Sequence, residues 1–376
     1  MSGRHHVYLV PGFFGFANLG EVVYFGHVRE WLGRELSQGS VSGQVVVVRS
    51  HPTASLQTRV RDLVQTIADT AQSPSDDGPI HIIGHSSGGL DARLFLTPAA
   101  AQAGGELQER LAQRVKSLVT LSTPHQGTPL AEFFEGVFGP RLLQVLSLVT
   151  VYVLRFGRVP LPILFKVGAT LSRASRLGPQ QTLIDQIFSG LLADFSSERQ
   201  AALTQFFEEM RSDQSLIPEL TPSAMRTFNA QTPDRSSVRY ASVVTQARRP
   251  SLRSRLGVGI DPYAHLTHSL YALFYRRTQR VQVDQIPAPS PAHAKALARA
   301  FGRLPRFRAN DGIVPTLSQV WGEVLLGVWA DHLDTLGHFD QPSLSPPHVD
   351  WFLSGSGFRR SDFERLWSAV ARHLFL

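Results

Sequence analysis

The sequence predicts an α/β fold in which a mostly parallel central sheet is flanked by helices. Short runs of β-branched and apolar residues, typical of buried strands, alternate with segments that have the apolar spacing of amphipathic helices. Neighbouring parallel strands need a long crossover, usually a helix, so this alternation favours a parallel sheet. No repeat and no long linker divides the chain, and we therefore expect one domain over residues 1–376.

Five strand-like runs occur in order along the chain: Val7–Val10, Val45–Val48, Ile80–Ile83, Val115–Leu121 and Val238–Val244. Helical segments lie between and after them: Val22–Leu36, Arg59–Ala71, Leu90–Leu96, Tyr263–Arg277, Ala292–Leu304 and Phe363–Leu374. A further helix is predicted to begin at Thr221, because threonine is a good N-cap residue and Pro222 suits the first helical position. This order of segments is typical of a sheet covered by helices.

The pattern changes over residues 129–215, where helical segments replace the alternation of strands and helices. The apolar run Leu142–Leu154 is too short to span a bilayer. We predict that residues 129–215 form a helical lid or cap, whose apolar face covers the site and meets a lipid surface when open. The alternative for the apolar run is a buried core helix. Two more helices are expected in this insertion, over Gln180–Phe195 and Ser197–Arg211.

The strongest functional motif is Gly84-His85-Ser86-Ser87-Gly88, which matches G-x-S-x-G directly after a strand and before a helix. In this context the central serine lies on a tight turn that lifts its hydroxyl clear of the sheet, and the glycines leave room for neighbouring backbone. We therefore predict that Ser86 is a nucleophile. The alternative is a turn rich in glycine and serine after a core strand.

A serine nucleophile needs a base that takes its proton and an acid that orients the base. We predict that Asp311, in the turn Asn310–Pro315, is the acid and that His332, in a later polar loop, is the base. The alternative for Asp311 is a residue that only stabilises an Asx-turn, and local chemistry alone favours that alternative.

Four other histidines compete with His332 for the role of base: His81, His85, His125 and His338. His81 lies on the central strand and His125 closes the strand that ends at Leu121, so we interpret both as structural. His85 neighbours the serine and should point away from it if the turn is strained.

Three other aspartates compete with Asp311 for the role of acid. Asp91 lies on the helix after the serine, where we expect it to pair with Arg93. Asp331 and Asp334 are too close in sequence to His332 to be the obvious residues that orient it.

The chain resembles the bacterial triacylglycerol lipase and carboxylesterase group of the α/β-hydrolase superfamily. The resemblance rests on five separated segments that occur in the same order as in that group: Val10–Gly15, Gly84–Gly89, Leu121–Thr128, Asn310–Pro315 and Asp331–Asp334. Leu220–Asn229 also resembles the segment before the late strands of that group. The set is far more specific than any one motif, and it implies an α/β-hydrolase fold, in which residues 129–215 are the predicted lid or cap insertion.

By position, the resemblance implies that Ser86 is the nucleophile, Asp311 the acid and His332 the base. It also implies an oxyanion hole formed by the backbone N–H groups of Phe13 and Ser87. The expected reaction is hydrolysis of apolar acyl esters through an acyl-enzyme, which an open apolar groove would extend to polyesters. The alternatives are an acyltransferase or thioesterase with the same triad, and a non-catalytic protein of this fold that binds lipid.

The sequence departs from that group at several positions. Pro11 stands where a histidine usually precedes the oxyanion glycine. Several secreted relatives bind a structural calcium, partly through an aspartate that matches Asp334. Here His338 stands where an amide oxygen is expected, and an imidazole is a poor calcium ligand. We therefore expect no metal and no cofactor.

Composition narrows the partners and the compartment. The net charge is +7, mostly from arginine, but no nucleic-acid-binding motif accompanies it, so no nucleic-acid partner is expected. The chain has no cysteine, which excludes disulfides and thiol catalysis. A strand follows almost directly after Met1, without a signal-peptide core. This favours a cytoplasmic protein, or an exported one whose leader has been removed.

Overall fold

The fold is built on a parallel sheet of six strands. In the computed structural model, the described residues are 4–13, 24–38, 42–71, 78–98, 105–135, 148–149, 152, 159–163, 165–167, 181–251, 260–341, 343–344, 348–350 and 352–375. The strands are His5–Val10 (β1), Gly43–Val47 (β2), Ile80–His85 (β3), Val115–Leu121 (β4), Arg239–Gln246 (β5) and Glu323–Trp329 (β6). All neighbouring pairs are parallel, in the order β2-β1-β3-β4-β5-β6. The predicted parallel α/β fold is confirmed.

Helices follow the strands along the chain. They are Gly26–Gln38 (α1), Leu56–Ala71 (α2), Gly88–Leu96 (α3), Gly105–Gln113 (α4), Pro129–Glu135 (α5), Gln181–Leu192 (α6), Ser197–Ser212 (α7), Leu216–Glu219 (α8), Pro222–Gln231 (α9), Pro262–Thr278 (α10), Pro291–Phe301 (α11) and Arg360–Phe375 (α12). The start predicted at Thr221 is confirmed, because its side chain accepts a hydrogen bond from the N–H of Ala224 at 3.3 Å. Strand β6 and helix α4 were not predicted.

The two faces of the sheet bury different helices, because successive side chains of a strand point to opposite sides. Tyr8 and Ile82 pack in the apolar cluster that includes α2 and α3. Val7 and Ile83, their neighbours along the strands, pack in a second cluster with α1 and α12. The sheet is therefore covered on both faces, as an all-parallel sheet requires.

The described part of the 129–215 insertion is helical. Helices α6 and α7 lie close to their predicted bounds, and buried side chains such as Ile187 and Phe206 belong to the same apolar cluster as α2 and α3. The run Leu142–Leu154 lies outside the described residues apart from positions 148, 149 and 152, whose side chains are buried. The opening of this insertion as a lid, and its bounds, remain predictions. Within the described ranges, no helix is both long enough and apolar enough to cross a membrane.

Candidate active site

Ser86 lies on the turn between β3 and α3, where its backbone adopts a φ angle of 53°. This left-handed conformation is unfavourable for a residue with a Cβ, so the surrounding structure must impose it. A Cβ on Gly84 would lie 2.5 Å from the Cα of Gly89, and one on Gly88 would lie 2.2 Å from the carbonyl oxygen of Val10. The packing around the turn therefore requires the two glycines of the G-x-S-x-G motif.

The side chains of His332 and Asp311 contact each other. The Nδ1 atom of His332 lies 2.9 Å from Oδ2 of Asp311, and both residues are buried. An ionised carboxylate can only accept, so Nδ1–H of the imidazole is the donor. This hydrogen bond fixes the tautomer in which Nε2 of the neutral ring carries the lone pair.

His332 also lies beside the serine turn. His85, the residue before Ser86, has its Nε2 atom 2.9 Å from the carbonyl oxygen of His332. The two imidazole ring centroids are 4.8 Å apart. The structure therefore joins the predicted base to the predicted acid and places the base against the residue that precedes Ser86.

One carboxylate oxygen of Asp311 stabilises an Asx-turn, which the sequence analysis gave as the alternative to the acid role. Its Oδ1 atom accepts the backbone N–H groups of Ile313 at 2.9 Å and Val314 at 2.7 Å. The other oxygen, Oδ2, faces His332. An Asx-turn and an orienting acid are therefore compatible, because each uses a different oxygen of the same carboxylate.

Two further side chains, which the sequence analysis did not identify, hold Oδ2 of Asp311. The hydroxyl of Thr245 donates to it at 2.9 Å and the amide of Gln319 donates at 3.2 Å. Since the Thr245 proton is used in this way, the Ser122 hydroxyl donates to Thr245 Oγ1 at 2.9 Å. All four residues are fully buried. No local sequence signal marks this network, since its members come from three separate segments.

The predicted oxyanion donors flank the serine. A Cβ on Gly12 would lie 2.5 Å from the Cβ of Ser86 and 3.1 Å from its Oγ, so the backbone that leads into Phe13 passes directly against the Ser86 side chain. Ser87 is the N-cap residue of α3, and its N–H belongs to the groups that a helix leaves without an intrahelical partner. Both backbone segments are thus next to the serine hydroxyl. The oxyanion hole itself remains a prediction.

Comparisons with known proteins agree on the architecture. Residues 52–138 match a family model described as a PGAP1-like alpha/beta domain. The protein has an α/β-hydrolase fold. The metagenomic carboxyl esterase MGS0156 is similar over 100% of this chain and 76% of its own, at 16% identity and a TM-score of 0.51. EstA from Clostridium botulinum is similar over 95% and 88%, at 18% identity and a TM-score of 0.52.

Lipase 1 from Pelosinus fermentans is similar over 98% of this chain and 99% of its own, at 16% identity and a TM-score of 0.52. No curated protein has a significantly similar sequence. The likeness at these identities concerns the fold, and it confirms the α/β-hydrolase architecture that the five sequence segments implied. Bacterial lipases and carboxylesterases are among the solved structures that share it.

A buried ion pair supports the loop that carries the predicted oxyanion donor Phe13. Arg59 donates to both carboxylate oxygens of Asp91 through Nε, at 3.1 and 3.0 Å, and through Nη2 at 2.7 Å. The same Nη2 donates to the carbonyl oxygen of Pro11 at 2.7 Å. Both charged side chains are fully buried. The pair therefore ties α2 and α3 to the residue before Gly12.

The predicted pairing of Asp91 with Arg93 is wrong. Residues two positions apart on a helix point in different directions, so the two side chains of α3 do not meet. Arg93 instead donates to the side-chain oxygen of Asn229 at 2.8 Å and lies 3.4 Å from the ring centroid of Trp321. Burial is the main cause that raises the pKa of Asp91 to about 6, and the Arg59 charge opposes this shift.

The structural interpretations of His81 and His125 are confirmed. His81 is buried on β3, where its Nδ1 atom lies 2.8 Å from the Ser117 hydroxyl oxygen. His125 is fully buried at the end of β4 and stacks on Trp321. Burial lowers the pKa of both rings. Neither ring is placed at the serine.

The loop of His332 is fixed by two buried aspartates. Asp331 accepts the hydroxyl of Ser354 at 2.6 Å, and Asp334 accepts the backbone N–H of Asp331 at 2.8 Å and the hydroxyl of Ser356 at 2.8 Å. Asp334 is therefore a buried, loop-fixing carboxylate and not a surface residue. Burial raises the pKa of Asp331 to about 7, and it raises that of Asp334 well above the usual value.

The expected absence of calcium remains a prediction. The carboxylates of Asp331 and Asp334 accept N–H and O–H donors, whereas calcium needs a shell of oxygen ligands with free lone pairs. Within the described ranges, no group of three or more His, Asp or Glu side chains is arranged to hold a metal. Asp334 holds the start of the His332 loop.

Proposed function

We propose that this protein is a serine carboxylic-ester hydrolase of the lipase or esterase type, with Ser86, His332 and Asp311 as its catalytic triad. The observation that carries the proposal is the strained Ser86 turn beside an imidazole that donates to a buried carboxylate at 2.9 Å. This is the arrangement that acyl transfer by a serine hydroxyl needs. The shared fold with lipases and carboxylesterases supports it.

In the first step, Nε2 of His332 takes the Ser86 proton as the serine oxygen attacks the ester carbonyl carbon. The carbonyl oxygen becomes negatively charged and accepts hydrogen bonds from the N–H groups of Phe13 and Ser87. Asp311 stabilises the imidazolium and keeps its ring in place. Collapse of the tetrahedral intermediate breaks the ester bond, and the alcohol leaves with the proton from His332.

In the second step, a water gives a proton to Nε2 of His332 and attacks the acyl carbon. The same N–H groups of Phe13 and Ser87 stabilise the second oxyanion. The carboxylic acid then leaves and the proton returns to Ser86. A single base thus serves both steps, because its tautomer is held by the same hydrogen bond to Asp311 throughout.

The apolar insertion supports an apolar acyl substrate. Leu161 and Phe165, four positions apart within residues 129–215, are 40% and 57% exposed. Exposed apolar side chains suit contact with a lipid or ester aggregate. The proposed substrates are therefore lipid esters or other apolar esters, polyesters among them, and the insertion is the proposed surface for the lipid interface.

The function is tested with p-nitrophenyl esters of increasing acyl length, below and above their solubility. Preference for long chains with a rate jump at aggregation indicates a lipase with a working lid. Smooth saturation with short chains indicates an esterase. Faster turnover of matched thioesters, or transfer to an added alcohol in preference to water, would favour the thioesterase or acyltransferase alternative.

The nucleophile is tested by organophosphonate labelling followed by peptide mass spectrometry. The label is expected on Ser86, and Ser86→Ala should remain folded but lose both the label and ester turnover. Ser223→Ala, at an exposed serine near the start of α9, is a matched control that should retain both. Turnover that survives in Ser86→Ala would refute the proposed function.

A further inference from the structure

A chain of hydrogen bonds joins Tyr24 to the backbone of the predicted base through the ring of His85. The hydroxyl oxygen of Tyr24 lies 2.7 Å from Nδ1 of His85. Nε2 of the same ring lies 2.9 Å from the carbonyl oxygen of His332. The ring in the middle belongs to the residue that immediately precedes Ser86.

Chemistry fixes the direction of every bond in this chain. A carbonyl oxygen only accepts, so Nε2 of His85 carries a proton and donates to His332. A neutral imidazole has one N–H, which leaves Nδ1 of His85 as an acceptor for the Tyr24 hydroxyl. Tyr24 donates its only proton in that bond.

The surroundings keep His85 in this neutral form. The ring is fully buried, and Tyr24 is 6% exposed. Burial, with the neighbouring imidazole of His332, holds the pKa of His85 well below its ordinary value. Burial also raises the pKa of the Tyr24 hydroxyl, which therefore keeps its proton. The chain of bonds consequently has one arrangement of protons across the neutral pH range.

We propose that Tyr24 and His85 are positioning residues that set the distance between Ser86 and the base. The His85 ring holds the carbonyl of His332, and the Tyr24 hydroxyl holds that ring. The loop of the base is thereby fixed to the residue that precedes Ser86. This inference rests on the proposed function, since it assigns Tyr24 and His85 a role in the same site.

The first test is Tyr24→Phe, which keeps the buried ring and its edge contact with Phe25 but removes the hydroxyl. His85 loses the donor that orients its ring, so kcat for a soluble p-nitrophenyl ester should fall about tenfold with KM little changed. The rate of phosphonate labelling at Ser86 should fall by the same factor, because labelling uses the same base.

Tyr240→Phe is the matched control. The hydroxyl of Tyr240 is likewise hydrogen-bonded, since it accepts the backbone N–H of Arg235 at 2.9 Å, but it lies near the amino end of β5, away from the site. Its removal should lower stability without changing kcat. If Tyr24→Phe only lowers the unfolding temperature and keeps the kcat of the wild type, the hydroxyl is merely structural and the inference is overturned.

A second measurement does not depend on how the variant folds. In the wild type, ¹⁵N-histidine NMR should find His85 as the neutral Nε2–H tautomer throughout about pH 5 to 9. An Nδ1–H tautomer, or titration within that range, would overturn the inference. Ser86→Ala in the same ester assay separates the two proposals. Activity retained there refutes the function and this inference together, whereas an inactive Ser86→Ala with a fully active Tyr24→Phe refutes this inference alone.

Discussion

Ser86 and Ser122 adopt the same left-handed backbone conformation at the ends of neighbouring strands, with φ angles of 53° and 50°. Within the described ranges, they are the only residues other than glycine with a positive φ. The N–H of Ser86 donates to the carbonyl of Leu121, the residue before Ser122, at 2.9 Å. Backbone strain is thus concentrated where β3 and β4 end, although only Ser86 has a proposed chemical role.

The strain at Ser122 predicts an unusual order of stability among its variants. Ser122→Gly and Ser122→Ala both lose the hydroxyl that donates to Thr245. Glycine adopts this conformation without the steric cost of a Cβ, so Ser122→Gly should be more stable than Ser122→Ala by about 0.5–1 kcal/mol. Urea denaturation measures the difference. A Ser122→Ala protein that matches or exceeds the glycine variant would contradict strain at this position.

Removal of the Thr245 hydroxyl should impair catalysis more than binding. Thr245→Val keeps the shape of the side chain but removes one of the donors that hold Oδ2 of Asp311. We expect kcat to fall roughly fivefold to tenfold with little change in KM, because the acid then orients His332 less well. Thr245→Ser keeps the hydroxyl and should retain most of the activity. Equal kcat values for the valine and serine variants would exclude this role.

The sequence predicted the parts of this fold whose signals are local. The buried strands at Val7 and Ile80 read as apolar runs, and the serine turn carries its own glycines. Strand β6, Glu323–Trp329, was missed although it contains the apolar run Val324–Leu326. Gly327 interrupts that run, and glycine within a strand weakens the local signal.

The supporting contacts of the site were beyond local reasoning. Thr245 and Asp311 are 66 residues apart, and Tyr24 and His85 are 61 apart, so only the folded sheet brings their side chains together. Asp91 shows the same limit in another way. Arg93 on the same helix was the obvious partner, but in the folded protein Arg59 of α2 pairs with Asp91 instead.

Buried histidines should make stability depend on pH. Burial is the main cause that lowers the pKa of His338 to about 3, and the nearby His27 adds to it. Below about pH 6.5 the unfolded chain therefore binds a proton at His338 that the folded protein does not bind. The contribution of His338 to the free energy of unfolding is complete above pH 6.5 and is lost as the pH falls. Between the pKa values of the unfolded and folded states, the free energy of unfolding changes by about 1.4 kcal/mol per pH unit for each such group.

His338→Gln should therefore flatten the pH dependence of the free energy of unfolding between about pH 6.5 and 4. Asp91 and Asp331 act in the opposite direction. Burial raises their pKa values, so their contribution to the free energy of unfolding is lost as the pH rises. The prediction consequently concerns the difference between the curves of variant and wild type, measured by urea denaturation at several pH values. Parallel curves would show that His338 does not titrate on unfolding.

The Arg59–Asp91 pair allows stability and site geometry to be separated. Arg59→Met leaves the buried Asp91 carboxylate without its cation, which should cost about 3–5 kcal/mol. The double variant Arg59→Met/Asp91→Leu removes both charges and should regain most of that stability.

Neither protein restores the donor to the Pro11 carbonyl, which Arg59 holds at 2.7 Å. The backbone that leads to Phe13 should then be less well held in both, so kcat should stay low in the double variant although its unfolding midpoint recovers. The measurements are urea denaturation and kcat on one soluble ester for all three proteins. Recovery of kcat together with stability would mean that Arg59 serves only to neutralise Asp91, and that the oxyanion loop keeps its position without the guanidinium.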